Sequence, residues 1–184
     1  MKKIIPLMFA CLLCFASCST TQKATSTTTS TTTHSITLTP ESMAINQAFM
    51  NKQGKLSWPV AKGTKVTDYG TQPHHSVPSV TIESHGIDIQ TNPGTTVRSI
   101  FDGEVTTIID IMGEKVLMIR HGYYISVYKN LTDICVKKGD KVTTKQPIGK
   151  VSKDSSTGEH ILHFELWEDT ENVNPNLWLS RKIR

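Results

Sequence analysis

From Leu56 onward, apolar β-branched residues alternate with polar ones, and a Gly or Pro interrupts each run. Side chains of a strand point to opposite faces with period 2, so this alternation describes strands with one buried face. Residues 103–109, 115–120, 124–129, 148–152 and 161–166 read this way. No long amphipathic helical stretch falls between them, which excludes a fold of strand–helix–strand units. The pattern predicts an all-β antiparallel sandwich or barrel over residues 55–184. Asn174-Pro175 and then Trp178-Leu179 close it with a turn and an apolar tail.

One short helix is predicted ahead of the strands, over residues 39–54. Thr39-Pro40-Glu41 supplies an N-cap residue, a proline at the first helical position and an early acid. Met43, Ala44, Ala48 and Phe49 are expected to form its apolar stripe, with Gly54 as its stop.

The start of the chain reads as a targeting segment, residues 1–17. Met1-Lys2-Lys3 is basic, and Ile4 to Ala16 form an apolar run too short to span a bilayer as a helix. Phe15-Ala16-Ser17-Cys18 resembles the lipobox of bacterial lipoproteins, with Phe15 in place of the usual Leu. That resemblance implies cleavage before Cys18 and lipidation of its thiol, holding the processed chain on a membrane surface in the cell envelope, on the periplasmic side. A plain signal peptide cut nearby is the alternative. Residues 18–38 then act as a tether. Residues 19–33 are nearly all Ser and Thr, which bury too little apolar surface to offset their ordering entropy. Cys11 and Cys14 leave with the leader, so Cys135 is the one thiol left for the folded part, which excludes an internal disulfide. Of the formal net charge of +4, Lys2 and Lys3 also leave with the leader. The remaining cations are scattered without a basic stripe, and nucleic acid is excluded as a partner. Arg98, Glu83 and Lys115 read as solvated faces.

Four blocks carry the chemistry. They are Gly86-Ile87-Asp88-Ile89, then Phe101-Asp102-Gly103-Glu104-Val105, then Val136 to Val142 leading into Gln146-Pro147-Ile148-Gly149, and last His163-Phe164-Glu165-Leu166. Lys-Gly-Asp-Lys-Val followed by Ile-Gly also resembles biotinyl or lipoyl carrier domains, but no suitably framed lysine for modification follows. The ordered set, from about Leu56 to Leu179, resembles the LytM or lysostaphin-type zinc endopeptidases of peptidoglycan. The resemblance implies a LytM-type core, a barrel-sandwich hybrid. It also implies one zinc held by His-x-x-x-Asp and by the second His of a His-x-His, with water at the open position. Two further histidines would handle protons and the developing oxyanion.

Three of those five positions are replaced. Asp88 matches the aspartate ligand and His163 the third ligand, but the first ligand position holds Ser84. The catalytic histidine positions hold Ile161 and Asn130. His85 and His160 each sit one residue from a vacated position. Strand parity argues against both, because each lies three residues from its would-be partner and should face the other way. Zinc is therefore not expected as a cofactor, and the sites are read as vestigial. The expected groove is lined by Asp88, Asn130, His163 and His74, with His74 and His75 in a loop after Tyr69-Gly70.

Tyr128-Lys129-Asn130-Leu131 and the stretch from Leu162 to Leu179 resemble the degenerate EnvC-like murein hydrolase activators. What this implies is a non-cutting, membrane-anchored regulator or scaffold of cell-wall hydrolysis, with a cell-wall amidase, peptidoglycan or both as partners. Alternatives are a peptidoglycan-binding module and an atypical active zinc endopeptidase. The long charged heptad region of EnvC-like proteins is missing here, which leaves the route of recruitment open.

Overall fold

The computed structural model describes residues 38–74, 77–111, 113–154, 157–181 and 183. The leader, Cys18, the tether up to residue 37 and His75 lie outside them. The helix α1 spans Pro40–Met50. Thr39 caps it, its Oγ1 accepting the Ser42 N–H at 3.2 Å, and Pro40 opens the first turn. It stops at Asn51, short of Gly54.

The expected apolar stripe on α1 is not what holds it. Met43, Ala44 and Ala48 are exposed, and Phe49 alone is buried. The Phe49 ring stacks on Tyr124 at 4.7 Å and on His121 at 5.2 Å, tilts against Trp178 at 5.2 Å and meets Phe101 edge-on at 5.5 Å. One aromatic in a fully formed cage replaces a stripe. A second contact fixes the helix direction. Asn46 accepts the Tyr123 N–H at 3.0 Å, and neighbouring Gly122, at φ +84°, has no room for a Cβ against Asn46.

The strands are β1 Thr64–Thr67, β2 Gly70–His74, β3 Val77–Ser84, β4 Ile87–Gln90, β5 Thr96–Arg98, β6 Gly103–Ile111 and β7 Glu114–His121. They continue with β8 Tyr124–Thr132, β9 Lys141–Val142, β10 Pro147–Val151, β11 Ile161–Glu168 and β12 Glu171–Val173, before a 3-10 turn at Pro175–Leu177. Ten form one sheet in the order β1-β4-β11-β8-β7-β6-β9, with β10 joining β8 to β5 and β12 lying on β11. Every strand pairing is antiparallel, as the alternation predicts. β2 and β3 pair only with each other. This hairpin corrects one expectation: His74 ends β2 rather than sitting in a loop.

The core is built on one face of the central strands. Ile87 and Ile89 of β4, Tyr128 and Leu131 of β8, and Leu162, Phe164 and Leu166 of β11 are fully buried. Two buried polar side chains inside it, His121 and Tyr128, are paired. The His121 Nδ1–H donates to the Asp102 carbonyl at 2.7 Å, leaving Nε2 to accept from the Ser126 hydroxyl at 2.8 Å. The Tyr128 hydroxyl accepts the Ile100 N–H at 3.1 Å. Burial pushes the His121 imidazole down to about 4, outweighing the Asp102 carbonyl that favours its charged form.

Two measurements test this core. Phe49→Ala should cost about 3–5 kcal/mol in urea unfolding, whereas Met43→Ala should change stability by less than ~0.5 kcal/mol. The His121 pKa is lower in the fold than its unfolded value of 6.5, so the unfolded state takes up the proton first as pH falls. The contribution is intact above 6.5 and is lost on descending to about 4. Stability should drop by about 3 kcal/mol across that window, and His121→Gln should flatten that part of the pH profile.

Candidate functional site

The site forms on the face of β11 opposite the core. Alternation along β11 sends Leu162, Phe164 and Leu166 inward and sets Ile161, His163, Glu165 and Trp167 on the other side. Register then decides the neighbours. His163 lies opposite Asp88 on β4 and opposite Lys129 on β8. Three charge-bearing residues from three strands thus stand in one row, with Glu165 two residues along β11.

These side chains form a continuous network. The His163 Nδ1 meets Asp88 Oδ1 at 2.6 Å, and its Nε2 meets Glu165 Oε1 at 3.0 Å. Lys129 Nζ donates to the same Glu165 oxygen, and the Trp167 indole N–H donates to Glu165 Oε2 at 2.8 Å. Both ring nitrogens of His163 face carboxylate oxygens, which accept only, an arrangement that favours the doubly protonated ring. Burial alone would lower the His163 pKa, but the bonds to Asp88 and Glu165 overcome it and raise it to about 9. Burial would likewise raise Glu165, yet His163, Lys129 and Trp167 hold its carboxyl down at about 2.

The remaining predicted positions are near but differently occupied. Ser84 ends β3, buried, and its hydroxyl donates to the Gly86 carbonyl at 3.0 Å while accepting the Gly86 N–H at 3.3 Å. Its oxygen is thereby absorbed in the turn that carries the chain from the hairpin into β4. Gly86 is required there, because a Cβ would overlap the Phe164 carbonyl and approach His163 Nε2 to 3.0 Å. Asn130 takes a left-handed φ of +62°, tolerable for Asn, and its amide donates to the Ile161 carbonyl at 2.7 Å. It joins β8 to the start of β11. The structure therefore brings Asp88 and His163 into contact and ties Asn130 to Ile161. For His74 the described structure fixes the backbone on β2 and nothing of the side chain.

The parity reading of the two spare histidines divides. On β11 it holds from Ile161 on, while His160 precedes the strand and its carbonyl accepts the Thr91 N–H at 2.8 Å. For His85 the premise of a single strand fails. Residues 85 and 86 form a link between two different sheets, and His85 is exposed there. Glu165, Lys129 and Trp167 were not singled out from the sequence. The period-2 spacing of His163, Glu165 and Trp167 was the available signal, since it puts all three on one face.

Catalytic zinc takes three protein ligands and keeps one open position. Asp88 and His163 are the two matching donors that remain, and both nitrogens of His163 are engaged by carboxylates. Ser84 is spent on its turn and Ile161 has no donor atom. This set does not fit that metal centre. Among the described residues, no group of three or more His, Cys, Asp or Glu is arranged to hold a metal ion.

Residues 82–175 match the family described as Peptidase family M23. The chain is 30% identical over 131 residues to the murein hydrolase activator EnvC of Escherichia coli (strain K12), covering 70% of this chain and 30% of that protein. It spans less than a third of the length of the curated relatives it matches first. Among solved structures, a zinc-containing peptidase from Vibrio cholerae superposes with a TM-score of 0.56 at 27% identity, covering 66% of this chain and 39% of that one. A chain in the crystal structure of the SpoIIIAH and SpoIIQ complex superposes with a TM-score of 0.57 at 25% identity, covering 65% and 96%.

Removing the shared carboxylate tests the network. Glu165→Gln leaves an imidazolium and an ammonium facing a neutral amide, and should cost about 2 kcal/mol in urea unfolding at neutral pH. Lys129→Met should cost under ~1 kcal/mol, because its side chain is 40% exposed and its pairing is screened by water.

Proposed function

The chain belongs to peptidase family M23, and on that premise we propose that it regulates or scaffolds cell-wall hydrolysis by binding and does not itself cut. The observation that carries this reading is the His163 ring, engaged at both nitrogens by Asp88 and Glu165. The position that resembles a zinc ligand is committed to holding carboxylates. Zinc is not part of the working protein in this reading, and the groove over Asp88, Asn130 and His163 is a binding surface.

The partner is a cell-wall amidase, peptidoglycan or both. EnvC of Escherichia coli, the relative at 30% identity, is by name an activator of murein hydrolases. The SpoIIQ structure is one of a complex with another protein, so a similar fold also serves in protein–protein assembly there. In this reading Cys18 carries the lipid, residues 19–33 provide reach, and the domain works in the cell envelope on the periplasmic side of a membrane.

The purified chain is mixed with cell-wall amidases of its own organism and dye-labelled peptidoglycan. Dye release by an amidase should rise several-fold with the chain present, and the chain alone should release none. Retention on isolated sacculi without any stimulation would move the assignment to a wall-binding module. Dye release by the chain alone, dependent on zinc, would contradict the proposal.

A further inference from the structure

Away from the groove, the chain gathers cations without acids to match them. The segment after α1 brings Lys52 and Lys55 against β5, which carries Arg98, and against the turn before β10, which carries Lys145. The backbone holds these segments together: the Arg98 N–H donates to the Pro59 carbonyl at 2.7 Å and the Lys145 N–H to the Ser99 carbonyl at 2.8 Å. Two adjoining cavities result, of about 380 and 250 Å³, which share Lys55 and Lys145 in their walls. Trp58 forms an apolar wall of the larger one, its ring fixed by donation to the Ser180 carbonyl at 2.8 Å.

Neither cavity is lined by an Asp or Glu. The nearby Asp102 Oδ1 is taken by the Thr144 N–H and hydroxyl, at 2.6 and 2.8 Å. Four lysines elsewhere are paired: Lys65 with Asp68, Lys129 with Glu165, Lys141 with Glu41, Lys150 with Asp133. Among the described residues none of Lys52, Lys55, Arg98 and Lys145 has such a partner. Exposed lysines alone would be a solvated face. Arg98 is the difference. The sequence places it on such a face, but it is half-buried, and its Nε–H is buried without an acceptor. Desolvating a guanidinium while bringing like charges towards it is unfavourable unless an anion neutralises them.

We propose that Lys52, Lys55, Arg98 and Lys145 form a second binding site, for a phosphate-bearing group. The guanidinium fork matches two oxygens of such a group, and lysines supply point charges around it. Four cations exceed what one carboxylate balances, whereas a phosphate offers more charge and oxygens in several directions. The group comes either from a lipid headgroup, which would lay the domain on a membrane, or from a soluble phosphate ester. The site shares no residue with the His163 groove, so it stands or fails apart from the proposed function.

The full chain in detergent is titrated with inorganic phosphate and with acetate by calorimetry, and floated with vesicles of phosphatidylglycerol or of phosphatidylcholine. Phosphate should bind more tightly than acetate. Arg98→Gln and Lys145→Asn should each weaken it about tenfold or more, and Lys138→Gln, on an exposed turn, should not. Asn suits the left-handed φ of +68° at Lys145, so that variant tests the charge even where Arg98→Gln disturbs folding. A preference for phosphatidylglycerol that Lys145→Asn abolishes assigns the lipid headgroup. Phosphate binding without any vesicle preference assigns a soluble phosphate. Failure of phosphate to bind, acetate binding as tightly, or equal binding in both variants would overturn the site.

Discussion

Strand β11 hydrogen-bonds to β4, β8 and β12, and that pairing sets both faces of the domain. On one side Leu162, Phe164 and Leu166 enter the core. On the other, the same register forces Asp88, His163 and Lys129 into one row. A slip of a single residue would put the charges inward and the core residues outward, so the buried face holds the site in place. The core therefore specifies the site geometry whatever chemistry the site performs, and loss of chemistry need not disturb the fold.

The charge of the row is what supports a binding role for it. In a site of this shape a zinc ion would supply positive charge to carboxylate and imidazole ligands. In the proposed reading the positive charge comes from a proton on His163 and from Lys129, with Glu165 between them. A half-buried imidazolium is stable only with partners that accept from both nitrogens, and it has them. The fold so retains a charged floor of paired side chains. Such a floor suits recognition of another surface better than activation of water.

Much of the fold could be read from sequence because alternation reports a half-buried strand directly. β6, β7, β8, β10 and β11 were legible for that reason. The β2–β3 hairpin was not. Pro73 and Pro78 interrupt its pattern, and it pairs with no other strand, so it has no core face to imprint on the sequence. Helix α1 was legible through its cap but not through its packing, since Phe49 alone bears the burial. At the site, the Ser84, Asp88, Asn130, Ile161 and His163 positions came from resemblance, and their meeting came from register. Glu165 stayed hidden because an acid on a half-exposed strand face reads as solvated. Only the register shows that it accepts from three donors.

The central claim is that His163 is an imidazolium locked between two carboxylates, with no nitrogen free for a metal. Nitrogen-15 NMR of the His163 ring reports this directly. At neutral pH both ring nitrogens should show the protonated signature, and adding zinc should leave their shifts unchanged. A neutral ring with one unprotonated nitrogen, shifting to a metal-bound signature on zinc addition, would contradict the account and return the groove to the active peptidases.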